Sequence, residues 1–270
     1  MRRVIIYSSL FVLLFVFIMP GDVFAVRFNV SPSRIELIVN PGEKKNSYIT
    51  ISNSRSQVPI NVKAYVEDVI NAPDGEIDFL PPGTTPWSCA EWIKLKPDGF
   101  TLAPGQEQVV KLQVKVPPKA RGGYYGITFF EVLIPSTKSG GIQTSTALRI
   151  GAVVLIDIAG TTEYKAKLTQ LRGVNLEKEG VVTSKVSCMI KNLGNLLIRP
   201  KGTIQILNVH QEEQEILELN PEKGGILPGM SRTFTVTCKE TLGEGQYVIR
   251  ALIDYGGKEL LGGQASFINK

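Results

Sequence analysis

From residue 26 onward, apolar and polar positions alternate. Ile35, Leu37 and Val39 share one parity, and Ile60, Val62, Ala64 and Val66 repeat the pattern. Leu112, Val114 and Val116 alternate with Lys111, Gln113 and Lys115, and Leu148 to Ile158 carries an unbroken apolar face. The second half continues in the same style. Val186, Cys188 and Ile190 share a parity, as do Phe234, Val236 and Cys238, then Tyr247, Ile249, Ala251 and Ile253. Successive side chains of a strand point to opposite faces, so each run sets one face on a core and the other in water. The punctuation is turn chemistry, with Asn40-Pro41-Gly42 in the first half and Gly256-Gly257 before the last strand. No stretch after residue 25 holds an apolar stripe at helical spacing. Many short strands between turn signals predict an all-β sandwich or barrel.

The turns repeat. Ile51-Ser52-Asn53, Leu102-Ala103-Pro104-Gly105 and Gly123-Tyr124-Tyr125 occur in that order in the first half. Ile190-Lys191-Asn192, Ile226-Leu227-Pro228-Gly229 and Gly245-Gln246-Tyr247 occur in the same order in the second. The step from Gly105 to Tyr124 is within one residue of the step from Gly229 to Tyr247. In a seven-strand sandwich the Asn ends the second strand, the Pro-Gly turn opens the fifth, and the Gly-x-Tyr opens the sixth. There a Tyr can tie the corner to main chain. The chain therefore reads as two tandem immunoglobulin-like β-sandwich domains, 26–160 and 161–270, with Ala159-Gly160-Thr161-Thr162 as linker. Extra length in the first half falls around Asp68 to Pro97.

The first residues set the expected compartment. Arg2 and Arg3 precede an apolar run from Val4 to Met19, which Pro20-Gly21-Asp22 breaks before Val23-Phe24-Ala25. This is the three-part build of a signal peptide cleaved after Ala25, and it places the mature chain in a periplasm or outside the cell. The competing reading is a membrane anchor, since the run is close to the short limit for a span, about 17 residues. No later segment is apolar enough to span, so the mature chain is expected to have no membrane span. Hydrophobic residues are 43% of the chain and charged residues 20%, as expected of a folded protein. The 30 Lys and Arg against 25 Asp and Glu are dispersed, which argues against a nucleic-acid surface.

Side chains for catalysis are scarce. His210 is the only histidine and lies in Asn208-Val209-His210-Gln211-Glu212-Glu213, which reads as an exposed hairpin tip. A nucleophilic relay would have to use it, and a zinc site built on several histidines is excluded. No glycine-rich phosphate loop opens a helix. Asp68, Asp74, Glu76 and Asp78 could be read as a calcium site, but their spacing fits no EF-hand loop, and a solvated Pro-Asp-Gly turn is the simpler reading. No catalytic residue, metal or cofactor is expected. Cys188 and Cys238 share a predicted domain and both point inward, yet antiparallel pairing sets them at opposite ends of the ladder. No disulfide is expected, and Cys89, between Trp87 and Trp92, reads as a packed thiol. Trp92 reads as core and Trp87 as an exposed contact.

On Val30-Ser31-Pro32-Ser33-Arg34-Ile35-Glu36-Leu37, Ile49-Thr50-Ile51-Ser52-Asn53, Trp92-Ile93 and Leu102-Ala103-Pro104-Gly105, the first half resembles the N-terminal domain of PapD-like periplasmic pilus chaperones. Val116-Pro117, Gly123-Tyr124-Tyr125 and the strand from Leu148 to Ile158 extend the likeness. The same Pro-Gly and Gly-Tyr-Tyr-Gly elements are similar to WxL-interacting cell-surface proteins. The resemblance implies a protein that holds an incomplete subunit by lending it a strand and grips the subunit's terminal carboxylate with two basic residues. By position Arg34 matches the first of these, and Arg149 is nearest to the second. The stretch before Leu148 holds Ile142 as its only large apolar residue, which departs from the lending strand's alternation.

The expected function is an exported, non-enzymatic protein-binding factor, chaperone-like in cell-surface or pilus-type assembly. It would bind a surface or pilus-type subunit by strand addition and at the interdomain cleft. Arg34, Arg149, Ile142 and Trp87 are its candidate contacts. The alternative is a structural or adhesive envelope protein that binds peptidoglycan or another glycan.

Overall fold

The computed structural model describes residues 27–54, 58–134, 146–178, 181–239 and 242–269. The predicted signal peptide and Ile142 lie outside them.

The architecture is all-β: two tandem immunoglobulin-like β-sandwiches. In the first, strands β1 (Asn29–Ser31), β3 (Lys44–Ser52), β8 (Glu107–Lys115) and β6 (Ile93–Lys96) lie in that order in one sheet. The facing sheet holds β2 (Arg34–Val39), β10 (Thr146–Ile158), β9 (Gly123–Ile134), β4 (Ile60–Asn71) and β5 (Ile77–Leu80), with β7 (Gly99–Leu102) also on β4. In the second sandwich, β11 (Ala166–Lys178), β12 (Val181–Asn192) and β15 (Ser231–Thr237) face β14 (Glu213–Leu219), β13 (Lys201–Asn208), β16 (Gly245–Asp254) and β17 (Leu261–Asn269).

The alternation in sequence becomes the two cores. Ile49, Ile51, Leu112, Val114, Val154, Ile156 and Phe130 are buried in the first. Val186, Cys188, Ile190, Ile204, Ile206, Ile249 and Ile253 are buried in the second. Each such side chain contributes about 1.5–3 kcal/mol on burial. All three cysteines are buried and unpaired. Cys188 faces Phe234 across β12 and β15, while the Cys238 amide bonds Ser184, which separates the two sulfurs along the ladder. Burial pushes the Cys188 thiol up to about 12 and, with Glu215 adding to it, the Cys238 thiol up to about 11, so neither is a reactive thiolate.

The repeated Asn and Pro-Gly signals have one structural cause. Asn53 and Asn192 are both fully buried at the ends of β3 and β12. Asn53 Nδ2 donates to Leu102 O (3.1 Å) and Val58 O (3.0 Å). Asn192 Nδ2 donates to Ile226 O (2.9 Å) and Leu196 O (2.7 Å). Each main chain then clasps the Pro-Gly turn. Gly105 N donates to Asn53 O and Gly229 N to Asn192 O, at 2.9 and 3.0 Å. Gly105 and Gly229 hold φ of +78° and +74°, a backbone region that favours glycine. Both features recur because a turn at this corner must satisfy the same main-chain groups.

The extra length in the first half is folded around Asp68, which is fully buried. Its carboxylate accepts from Thr85 N (2.8 Å), Thr85 Oγ1 (3.0 Å) and Ser88 Oγ (2.5 Å). Asp74 accepts from Glu76 N (3.0 Å) in its own turn. The acidic residues are thus divided between an internal hub and a hairpin tip. Among the described residues no cluster of three or more His, Cys, Asp and Glu could hold a metal ion, and no helix is long and apolar enough to cross a membrane.

Candidate functional site

The outer face of the β2-β10-β9-β4-β5 sheet is directed partly at the second sandwich, and the joint between the two sandwiches is tightly bonded. The linker turns at Ala159-Gly160, and Thr161 Oγ1 accepts from Gly122 N (2.8 Å) while donating to Ile158 O (2.9 Å). Asn195, from the loop after β12, binds both sides of the linker. Its Nδ2 donates to Thr161 O (2.9 Å), its Oδ1 accepts from Glu163 N (2.7 Å), and its carbonyl accepts from Gly123 N (2.7 Å). Gly122 lies at φ +79°, and a Cβ there would meet the Asn195 carbonyl.

Tyr125 completes the joint. The Gly-x-Tyr signal places Tyr125 and Tyr247 at the same point of their sandwiches, each two residues past the Gly. Tyr247 ties its own corner, donating to Gly243 O (3.0 Å). Tyr125 is fully buried and its hydroxyl instead accepts from Leu197 N in the second sandwich. Tyr124 lies against Trp92, with ring centroids 4.1 Å apart. A second bridge joins the β4–β5 hairpin tip to β15, where Thr233 N donates to Pro73 O (2.7 Å).

Between these bridges lies the cleft. On its wall Glu36 meets a guanidinium from each sandwich: Arg199 Nη2 at 2.8 Å and Arg34 Nη1 at 3.8 Å. The Arg34 and Glu36 side chains are 57% and 52% exposed, so water and salt screen their attraction. Beside them is a cavity of about 190 Å³ lined by Ile38, Tyr125, Leu155, Asp157, Leu197 and Arg199, among others. Burial, then the neighbouring Glu36, hold the Asp157 carboxyl above its usual range, against the pull of Arg199. An acid raised by folding binds its proton more tightly in the folded state. Its ionisation therefore weakens the fold as pH rises past 3.8. Asp157→Asn is expected to melt higher than the natural chain at pH 7, with the difference vanishing near pH 3. A lower melting temperature at pH 7 would show that attraction to Arg199 outweighs burial.

The sequence candidates separate. Arg34 opens β2 and stands in the cleft, opposite Val153 of β10. Arg149 lies four residues back along β10, about 13 Å away at ~3.3 Å per residue. It leans across β9, over the rings of Phe129 (4.4 Å) and Phe79 (5.2 Å), to an ion pair with Glu67 (3.3 Å). Arg199, not Arg149, shares a carboxylate with Arg34. Nothing local in the sequence marks Arg199, since its partner is distant in the chain. Trp87 is half-buried rather than an exposed contact. Its indole donates to Val69 O (3.3 Å), and its carbonyl accepts from Tyr125 N (2.8 Å), so it patches the β9 edge beyond the reach of β4.

Among the described residues, one stretch of the β10 edge is open. β10 pairs with β9 from Thr146 to Asp157, but β2 joins its other side only from Val153 onward. Val153 N donates to Ser33 O (2.9 Å), so the main-chain groups of Gly151, Arg149 and Ala147 turn toward the same, unpaired side. The free edge stops at Arg34. Leu148 and Ile150, which point inward along it, are only half-buried.

The sequence matches no protein-family model and no curated protein. The structure is similar to solved fimbrial chaperones. One is described as a chaperone–tip adhesin complex vital for CFA/I fimbriae biogenesis, at 15% identity and TM-score 0.47, covering 88% of this chain and 98% of that one. The E. coli chaperone DraB matches at 14% identity and TM-score 0.42, covering 91% and 96%. A CsuC–CsuE chaperone–tip adhesion subunit complex from Acinetobacter baumannii matches at 12% identity and TM-score 0.42, covering 88% and 98%.

Proposed function

We propose that this chain is an exported, non-enzymatic protein-binding factor, chaperone-like in cell-surface or pilus-type assembly. It holds an extended segment of its partner on β10, with the segment's end in the cleft. One observation supports this reading most: the unpaired edge of β10 runs from Thr146 to Ala152 and ends at Arg34. A guest strand laid along that edge gains main-chain bonds to Ala147, Arg149 and Gly151. It also covers Leu148 and Ile150, whose half-exposed side chains set its register. A guest running parallel to β10 brings its terminal carboxylate to Arg34 and Arg199. There it takes the place of Glu36, an acceptor both guanidiniums already hold. Ile38, 69% exposed beside them, offers the guest an apolar contact. Arg149 stays on its aromatic shelf and acts through main chain, not charge.

The test is capture from an envelope extract by the mature chain and three variants. Arg34→Ala and Arg199→Ala are each expected to lose the same partner protein, by about tenfold or more, as truncating a gripping charge costs about 2 kcal/mol. Ala147→Pro removes an outward N–H without touching the β9 ladder and is expected to lose that partner too. Equal capture by all four proteins would end this reading. Capture of glycan fragments in place of a protein would favour the structural envelope role instead.

A further inference from the structure

The second sandwich is closed along one side and open along the other. On the closed side β11 meets β17. The Phe267 ring lies over Gly173 and the Leu168 side chain over Gly263, where a Cβ would collide with either. Asn175 Nδ2 donates across the seam to Ile268 O (3.3 Å). On the open side β14 and β15 each end their sheet and do not pair. The space between them is a groove of about 670 Å³ with Leu217, Phe234 and Val236 in its wall.

The groove has features of a binding site for main chain. The Thr233 N–H turns away from β12 and already donates to a carbonyl from outside the sheet, that of Pro73 at 2.7 Å. Residues two apart on an antiparallel strand turn the same way, so the N–H and C=O of Thr235 address the groove as well. Among the described residues, β14 supplies them no partner. Asp74, Glu218 and Glu222 line the groove, against Arg232 and Lys239; Arg232 Nη1 donates to Gly225 O (3.2 Å), while its buried Nε has no partner among the described residues. Three carboxylates thus face two cations in its lining.

We propose that this groove is a second protein-binding site, which takes an extended basic segment of a partner protein as an added strand on β15. The segment continues the contact that Pro73 begins at Thr233 and bonds main chain to main chain at Thr235. Its apolar side chains face Phe234 and Val236. Its lysine or arginine side chains meet Glu218 and Glu222. The site is separate from the free edge of β10, and neither depends on the other.

The probe is a capped synthetic peptide of about eight residues alternating lysine with valine, labelled and titrated into the mature chain by fluorescence anisotropy. Saturable binding is expected. It should weaken about tenfold or more when alternate peptide nitrogens are methylated, when glutamate replaces lysine, and in Thr235→Pro. Arg34→Ala should bind the peptide as the natural chain does, which keeps this test distinct from that of the cleft. If Thr235→Pro fails to fold by circular dichroism, the methylated peptide decides alone, since it leaves the protein untouched. No saturation below about 1 mM overturns the proposal, as does equal binding of the methylated peptide or loss of binding in Arg34→Ala. Peptide-free dimerisation abolished by Thr235→Pro would assign the edge to a second copy of this chain and also overturn it.

Discussion

Asn192→Ala is expected to destabilise the second sandwich by about 3 kcal/mol, as Leu196 O and Gly194 N lose their partner and Ile226 O keeps only Ile198 N. Leu196 O and Ile226 O lose the Nδ2 donor at 2.7 and 2.9 Å, and Gly194 N loses the Oδ1 acceptor at 2.9 Å. The site is fully buried, so water does not replace them. In a domain of this size such a loss lowers the melting temperature on the order of 15 °C. Differential scanning calorimetry of the mature chain reads it directly. A shift of only about 2 °C would mean that the corner is held by the Pro-Gly clasp alone, through Gly229 N and Met230 O. Asn192→Asp, which keeps Oδ1 for Gly194 but loses both donations, is expected to remain strongly destabilised.

That same Asn shows why part of this fold is legible without coordinates. Alternation reports local geometry, so Ile35 and Val39, Ile60 to Ala64, and Ile249 to Ile253 face the core as their parity predicts. The Asn, Pro-Gly and Gly-Tyr signals also act locally, each at a corner whose main chain must be satisfied. What parity cannot report is the partner across a gap. Tyr125 and Tyr247 occupy matching places, yet one hydroxyl binds its own corner and the other binds Leu197 in the next sandwich. Asp68 stands in an acidic stretch that reads as solvated, and it is buried because Thr85 and Ser88 return to it. Arg149 faces outward as its parity requires, but its aromatic shelf is assembled from β9 and β5. The resemblance picks out Arg34 from its place in the strand motif. It does not pick out Arg199, which only the interdomain angle brings to Glu36 beside Arg34.

That angle leads to the second large effect. Asn195→Ala is expected to free the two sandwiches from one another while leaving each folded. The substitution removes the bonds to Thr161 O and Glu163 N at 2.9 and 2.7 Å, and the linker then has only Thr161 Oγ1 and main-chain contacts to hold it. Between the sandwiches there remain Leu197 N to the Tyr125 hydroxyl, Gly123 N to Asn195 O, the Glu36–Arg199 pair and the bridge from Thr233 to Pro73, which without the linker clamp are expected to let the angle vary. Arg199 then no longer rests beside Arg34, and a partner that needs both must order the joint as it binds. Its apparent affinity falls by the fraction of molecules in the competent arrangement, about tenfold if one in ten is competent. Small-angle scattering of the mature chain is expected to show a larger radius of gyration and a spread of shapes. Capture of the partner by Asn195→Ala should fall with both cleft arginines intact. A cross-link that restores the joint should recover it, which separates loss of geometry from loss of charge. An unchanged scattering profile would show that Tyr125 and the Gly123–Asn195 main-chain bond hold the angle without the Asn195 side chain.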